Sequence, residues 1–130
     1  MRVLQRTRPF NICVIGTGQM GRIFLPIICS HPLAVPHTVV ARSFDDSKIQ
    51  KIKNENSIPD FYGTKFVETR QLKDHLEKNH AEIDGFVGLA TSSAHFDLLK
   101  LLAPYGKPIL MEKPLTETLE QSKQALKILN

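Results

Sequence analysis

Short apolar runs alternate with helical patterns about five times along the chain. The runs have the length and apolar content of strands in the interior of a sheet. They cover residues 11–16, 37–42, 64–68, 84–91 and 107–114. Strands separated by helical crossovers form a parallel sheet with helices on both faces. The alternation therefore predicts a doubly wound α/β fold, a single three-layer αβα domain over residues 11–130.

Apolar spacing and capping residues mark the helices between these runs. The first helix is predicted to carry one apolar stripe, formed by Met20, Ile23, Phe24, Ile27 and Ile28. Pro26 interrupts that pattern and predicts a kink or an early end of the helix. Ser92 or Ser93 is placed to cap the fourth helix, and Thr118 with Gln121 has the spacing of a capping box for the last.

Composition and charge exclude several classes of function. The chain has 130 residues, and its 17 Lys and Arg against 13 Asp and Glu give a net charge of +4. These charges are scattered, and no basic run alternates with aromatic residues, so nucleic acid is not a predicted partner. No apolar run approaches the roughly 20 residues that span a bilayer, so no membrane partner is predicted. A mild positive charge suits an anionic small ligand.

The first ten residues and the two cysteines bear on cellular location. The start, "MRVLQRTRPF", holds three arginines without an apolar core, so it is predicted to be a flexible basic arm over residues 1–10, not a secretory signal. Cys13 and Cys29 lie among apolar residues without the spacing of metal ligands. We therefore expect two core thiols, no metal site and a cytoplasmic location.

The first predicted strand is followed at once by three glycines within six residues, in "NICVIGTGQMGRIF". Gly16, Gly18 and Gly21 match the pattern G-x-G-x-x-G, in which the first allows a sharp turn, the second lets a pyrophosphate approach, and the third lets helix and strand pack closely. Gln19 and Met20 begin the helix and are predicted to contact the dinucleotide that carries this pyrophosphate. The alternative is a glycine-rich turn with no ligand.

The end of the second predicted strand distinguishes NAD from NADP. An acidic residue there would bond the ribose 2′-hydroxyl of NAD, whereas an arginine accommodates the 2′-phosphate of NADP. The sequence has Ala41 where the acid is expected, followed by Arg42 and Ser43. These residues favour NADP over NAD and disfavour a methyltransferase, which would need an acid for its cofactor ribose. The alternative is that Arg42 is a solvated surface charge.

Two further groups lie at the carboxyl ends of predicted strands, where ligands of such sheets bind. Thr91, Ser92 and His95 follow the fourth strand, and Glu112 and Lys113 follow the fifth in "MEKPL". Lys113 could donate a proton or a hydrogen bond to a substrate oxygen, or be an ordinary lysine at a strand end. His95 could line a nicotinamide pocket, or only pack in the first turn of a helix.

These motifs together resemble the amino-terminal half of the Gfo/Idh/MocA oxidoreductases, a family named after glucose–fructose oxidoreductase and inositol dehydrogenase. The matching stretches are "GTGQMGRIFLPII", "VVARSFDDSK", "GLATSSAHFDLL" and "GKPILMEKPLTETLEQSKQAL". The resemblance covers nearly the whole chain from about Asn11, and "EKPL" followed by "TLEQ" is its most specific part. The stretch "ATSSAH" is one residue shorter than the usual family loop and lacks its common proline, which leaves the role of His95 open.

The resemblance implies a Rossmann domain that binds NAD or NADP, followed by a second α/β domain with most of the substrate contacts. It implies hydride transfer between the nicotinamide and a hydroxyl-bearing carbon, commonly on a sugar or cyclitol. Carried over by motif, Gly16, Gly18 and Gly21 face the pyrophosphate, Arg42 and Ser43 match NADP-preferring members, and the element of Glu112 and Lys113 supplies a lysine that assists catalysis.

The chain ends at Asn130, before the sixth strand and the substrate domain that the resemblance implies. We therefore expect the 130-residue chain alone to bind NADP(H) but to be inactive or nearly so, because the family's catalytic histidine lies in the missing part. Homo-oligomers are a further expectation. The alternative is a stand-alone NADP(H)-binding sensor or interaction module without catalysis.

Overall fold

The computed structural model describes residues 8–130, so most of the predicted basic arm, residues 1–7, lies outside the described residues. A five-stranded parallel sheet forms the centre of the domain. Its strands are β1 (Phe10–Ile15), β2 (Ala34–Ala41), β3 (Lys65–Glu68), β4 (Gly85–Gly88) and β5 (Ile109–Met111). The helices are α1 (Gln19–Ser30), α2 (Asp46–Glu55), α3 (Leu72–Asn79), α4 (Ser92–Leu102) and α5 (Leu119–Leu129).

The strand order is β3-β2-β1-β4-β5, so the chain adds strands on one side of β1 and then crosses to the other. The strand order reverses between β1 and β4, and a crevice opens there at the carboxyl ends of the strands. The predicted doubly wound α/β fold is confirmed.

The sheet separates two layers of buried side chains. Val14 of β1 is flanked in register by Val39 of β2 and Val87 of β4, and these valines pack on Leu25 of α1 and Ile52 of α2. The neighbouring residues in each strand face the opposite layer, because successive side chains of a strand alternate between the two faces. That layer is formed with α3 and α4 and includes Cys13, Ile15, Leu72, Leu76, Leu98 and Leu102.

The first helix differs from its predicted stripe. Ile23 and Ile27 are 52% and 56% exposed, whereas Gly21 and Leu25 are buried. A Cβ on Gly21 would lie 2.5 Å from the carbonyl oxygen of Gly16, so this closest approach to the strand sets the rotation of the helix. The helix also continues past Pro26 to Ser30, so the predicted early end is wrong.

Of the two predicted helix caps, the one for α4 is wrong and the one for α5 is confirmed. Thr91 is the N-cap of α4, and Ser92 and Ser93 lie inside the helix. In α5 the hydroxyl of Thr118 accepts from the backbone N–H of Gln121 at 3.1 Å, as predicted. The side chain of Gln121 accepts from the N–H of Glu117, one residue before the N-cap. The predicted second strand also begins earlier, at Ala34, because the segment before His37 already pairs with β1.

A small polar cluster lies between β2 and α3. Buried Thr38 is bonded through its hydroxyl to a ring nitrogen of His37 at 2.8 Å and to Nε2 of His75 at 3.0 Å. Nε2 of His37 also lies 2.9 Å from a carboxylate oxygen of Glu82. Burial lowers the pKa of His75, and the nearby charges of His37 and Lys65 lower it further, while Glu82 opposes them.

This cluster predicts a loss of stability in mild acid. The unfolded chain takes up a proton on His75 near its ordinary pKa of 6.5, whereas the folded chain resists that proton. The contribution of His75 is therefore complete above pH 6.5 and is lost as the pH falls through its lowered folded pKa. We expect the urea concentration at the unfolding midpoint to be lower at about pH 5.5 than at about pH 7.5. His75→Gln should flatten that fall, and the control His80→Gln, at an exposed position, should not.

Candidate functional site

A cavity of about 620 Å³ opens at the carboxyl ends of the strands, at the crevice between β1 and β4. This volume lies within the range of small-molecule and cofactor sites. The walls come from the turns after β1, β2, β3 and β4, and they include Gly16, Gly18, Arg42, Lys48, Thr91 and Asp97. Four of the predicted site residues therefore share one cavity, although they are distant in sequence.

The three glycines of the β1–α1 turn have different surroundings. Gly16 has φ +114°, and a Cβ there would lie 2.6 Å from the backbone carbon of Leu89. Gly21 has a Cβ position only 2.5 Å from the Gly16 carbonyl oxygen. A Cβ on Gly18, in contrast, would have no atom within 4 Å. Packing within the domain therefore explains Gly16 and Gly21 but leaves the absence of a side chain at Gly18 without a structural reason.

Gly18 is the N-cap of α1, and within residues 8–130 no side chain caps this end of the helix. The first intrahelical bond of the turn runs from the N–H of Arg22 to the carbonyl of Gly18 at 3.0 Å. The N–H groups before it lack intrahelical partners, and the helix dipole adds a partial positive charge there. Open space beside Gly18 together with these donors fits a bound phosphate, as a dinucleotide would supply.

The β2–α2 turn and the first turn of α2 carry two basic side chains of the cavity, Arg42 and Lys48. Ala41 is buried, and Arg42 and Ser43 are exposed at the strand end. Lys48, which the sequence interpretation missed, also lines the cavity. Its Nζ donates to the carbonyl of Ser43 at 3.0 Å and lies 5.1 Å from the ring centroid of Phe44. The signal for Lys48 was its position three residues after the N-cap Asp45, which turns the side chain back toward the strand end.

The same turn is held in place from β3. The backbone N–H of Phe44 donates to the carboxylate of Glu68 at 3.0 Å, and Arg70 donates to that carboxylate at 2.8 Å. These two bonds hold the pKa of Glu68 below its usual range. Phe44 also meets Phe66 edge to face with ring centroids 5.6 Å apart. Arg42 and Ser43 therefore project from a braced turn.

The turn after β4 brings Thr91 to the cavity, whereas its two neighbours in the prediction lie elsewhere. Thr91 and Ser92 are exposed, and the Thr91 hydroxyl lies 3.1 Å from that of Ser93. His95 is 1% exposed. Its Nδ1 lies 2.6 Å from the carbonyl oxygen of Pro114 and its Nε2 lies 2.9 Å from that of Ala90. Of the two roles weighed for His95, packing within the start of α4 is the one that these contacts describe.

The element after β5 lies at the same edge of the sheet. The N–H of Glu112 donates to the carbonyl of Gly88 at 2.9 Å, which continues the β4–β5 pairing by one residue. Lys113 follows with an exposed side chain, and the Lys113–Pro114 peptide is cis. Glu112 and Lys113 are outside the walls of the cavity, as are Gln19, Met20 and Ser43. All five follow the carboxyl ends of β1, β2 or β5, and Met20 packs against the core.

The described residues lack two other kinds of site. No group of His, Cys, Asp and Glu within residues 8–130 has an arrangement that could hold a metal ion. No helix in that range is long and apolar enough to cross a membrane. Cys13 and Cys29 are both free thiols, Cys13 buried and Cys29 partly buried against the core, as predicted.

The fold and the cavity together define a nucleotide-binding α/β domain. Residues 10–130 match the Gfo/Idh/MocA oxidoreductase family over its NAD-binding Rossmann fold. The chain therefore belongs to this family and is its nicotinamide dinucleotide-binding domain. The match does not favour the alternative of a stand-alone sensor.

The chain is also similar to individual proteins in sequence or in fold. An uncharacterized protein of Saccharomyces cerevisiae is 27% identical over 92% of this chain and 32% of its own length. Scyllo-inositol dehydrogenase from Lactobacillus casei, solved with NAD(H) and scyllo-inositol, has a TM-score of 0.74 at 20% identity over 94% of this chain and 33% of that one. A 3-ketoreductase from Actinomadura kijaniata, solved with NADP, has a TM-score of 0.71 at 19% identity over 94% and 36%. The chain spans about a third of the length of each.

Proposed function

We propose that this domain binds NADP(H) in preference to NAD(H). The observation that carries the proposal is the pair of cations at the end of β2, where Arg42 and Lys48 line the cavity and buried Ala41 offers no carboxylate to a ribose. Two positive charges suit a 2′-phosphate, and the Ser43 hydroxyl could donate to it. Among the related structures, the 3-ketoreductase was solved with NADP and the inositol dehydrogenase with NAD(H).

The remaining contacts follow from the geometry of the rim. Gly18 and the first turn of α1, with Gln19 and Met20, would face the pyrophosphate, and Gly16 and Gly21 would shape that turn. Thr91 and Ser92 on one side and Glu112 and Lys113 on the other would border the nicotinamide end. A bound dinucleotide supplies a carbon that accepts or donates hydride.

The parent activity proposed is oxidation or reduction at a hydroxyl-bearing carbon of a sugar-like or cyclitol substrate. In that reaction Lys113 would donate a proton or a hydrogen bond to the substrate oxygen, for which its exposed side chain at the rim is suited. The chain covers about a third of its relatives, so substrate contacts would come from a second domain. Alone, the chain is expected to bind cofactor with little or no turnover.

A cytoplasmic location and self-association complete the proposal. Cys13 and Cys29 are both free thiols, which are usual in a reducing compartment. Burial raises the pKa of the Cys13 thiol to about 12 and that of Cys29 to about 11, so both stay protonated at neutral pH. Leu110 of β5 is 59% exposed, and an exposed apolar side chain on the face of the sheet is suited to contact a second copy or the proposed second domain.

Cofactor selectivity tests the proposal. Arg42→Ala and Lys48→Ala should each weaken NADPH binding by about 1.5–3 kcal/mol, roughly 10- to 100-fold in Kd, because each removes a charge-assisted contact to phosphate. NADH binding should change by less than about threefold. The measurement is calorimetric titration of each purified variant with both cofactors.

Lys53→Ala is the matched control, because Lys53 lies on the same helix as Lys48 and lines neither this cavity nor the second one beside the glycine turn. It should leave both affinities nearly unchanged. Equal losses of NADPH and NADH in the Arg42 and Lys48 variants would contradict a 2′-phosphate site at this end of β2.

A further inference from the structure

Buried His95 connects two loops that border the cavity. It lies in the first turn of α4, and its ring nitrogens contact backbone carbonyls on either side. Ala90 belongs to the turn after β4, whereas Pro114 is 19 residues away in sequence, after β5. Both ring nitrogens face these carbonyls, so the ring presents no nitrogen to a ligand in the cavity. A carbonyl oxygen only accepts, so the ring makes both hydrogen bonds when both nitrogens carry a proton, and a neutral ring donates to one carbonyl at a time.

The Ala90 contact connects His95 to the glycine turn. The backbone of Leu89 and Ala90 forms the wall against which Gly16 packs, since a Cβ on Gly16 would lie 2.6 Å from Leu89 and 2.9 Å from Ala90. The N–H of Leu89 also donates to the carbonyl of Ile15 at 2.7 Å. A displacement of Ala90 would therefore act directly on the turn that faces the phosphates.

The Pro114 contact connects His95 to Lys113. Two bonds bracket this lysine: the N–H of Glu112 reaches the Gly88 carbonyl on one side, and the Pro114 carbonyl reaches His95 on the other. The Lys113 side chain itself is exposed. Beyond this loop, buried Thr116 is fixed by bonds of its hydroxyl to the α5 start, at 2.9 Å and 2.6 Å. His95, at the start of α4, therefore holds the carbonyl of Pro114, the residue directly after Lys113.

We propose that His95 is a positioning residue that sets the place of Lys113 relative to the glycine turn, acting through the two carbonyls and without touching the cofactor. The proposal rests on the proposed function of Lys113 at the rim. It assigns one side chain to two tasks, one for each ring nitrogen. The two tasks can be separated by substitution, because an asparagine amide occupies roughly the place of Nδ1 and a glutamine amide roughly that of Nε2.

The test compares His95→Asn and His95→Gln by amide hydrogen exchange in the isolated chain, with thermal unfolding recorded in parallel. Asn retains a donor toward Pro114, and Gln retains one toward Ala90. We expect His95→Gln to speed exchange of the Glu112 amide by about tenfold more than exchange of the Leu89 amide. His95→Asn should keep the Glu112 amide within about threefold of the wild-type rate. A side chain that only stabilises the core would accelerate both amides equally in both variants, and that result would overturn the proposal.

The unsubstituted chain provides a second measurement that stands even if a variant fails to fold. Nuclear magnetic resonance should detect a coupling across the hydrogen bond between Nδ1 of His95 and the carbonyl of Pro114, and a slowly exchanging ring N–H. Absence of this coupling, whether or not a ring N–H exchanges slowly, would overturn the proposal, because Nδ1 would then not donate to the Pro114 carbonyl. Neither measurement uses a cofactor, so failure here is distinguishable from a failure of NADPH titration, which would count against the proposed function.

Discussion

Gly18→Ala should leave the domain folded and weaken NADPH binding by roughly 100-fold, about 2–3 kcal/mol. The added methyl group would have no protein atom within 4 Å, and the Gly18 φ of −73° lies outside the left-handed region that favours glycine. The same methyl group would project into the space through which a phosphate reaches the first N–H groups of α1. Unfolding in urea and calorimetric titration of the same preparation measure the two halves of this expectation.

Gly63→Ala serves as the control for handling and for generic effects of the substitution, because Gly63 is distant from the cavity and also has nothing within 4 Å of its Cβ position. That variant should keep full affinity, although its φ of +64° makes it somewhat less stable. If Gly18→Ala bound NADPH as tightly as the unsubstituted chain, the glycine turn would be a structural turn only.

Gly16→Ala, unlike Gly18→Ala, is expected to destabilise the fold, with a loss of about 3–5 kcal/mol in the free energy of unfolding. Two costs combine at this position: a φ of +114°, which L side chains rarely adopt, and a Cβ only 2.6 Å and 2.7 Å from the backbone carbon and oxygen of Leu89. The neighbouring atoms are the backbone of Leu89, directly after β4, whose N–H donates to the carbonyl of Ile15 in β1. They cannot move aside without disturbing the pairing of β1 with β4. Chemical denaturation gives the difference directly.

Gly106→Ala separates the two costs. Gly106 also has a positive φ, +64°, but nothing lies within 4 Å of its Cβ position. That variant should lose only about 1–2 kcal/mol, the cost of a left-handed conformation. If the Gly16 variant were no less stable than the Gly106 variant, the claim that contact with the Leu89 backbone adds a cost at Gly16 would be contradicted.

The topology could be predicted from the sequence because it depends on a periodic signal. Each buried strand is a continuous apolar run, each helix has a period near 3.6, and a parallel sheet follows from their alternation. The rule that ligands bind at the carboxyl ends of the strands groups the turns after four of them. Gly18, Arg42 and Thr91 line one cavity, as that rule predicts. Ser92, Glu112 and Lys113 lie outside its walls, and His95 is buried.

The predictions that missed depend on contacts between distant parts of the chain. The predicted stripe of α1 placed Ile23 and Ile27 on the buried face, but both are exposed. A helical period identifies an apolar face but not how the helix is rotated about its axis. The close approach of Gly21 to the Gly16 carbonyl determines that rotation. Lys48 was not predicted to line the cavity, because it lies in α2, whose many charged and polar residues are typical of a solvent-exposed helix. The two carbonyl partners of His95 lie 5 residues and 19 residues away in sequence, and no local pattern announces them.

Calorimetric titration of the purified 130-residue chain with NADPH and, separately, with NADH tests the central claim most directly. We predict saturable binding of both cofactors, with NADPH at least tenfold tighter, because Arg42 and Lys48 add a second anion contact to the phosphate turn that both cofactors use. The Gly18→Ala variant should bind both cofactors roughly 100-fold more weakly. A demonstrably folded chain that binds neither cofactor would contradict the assignment of this cavity as the dinucleotide site.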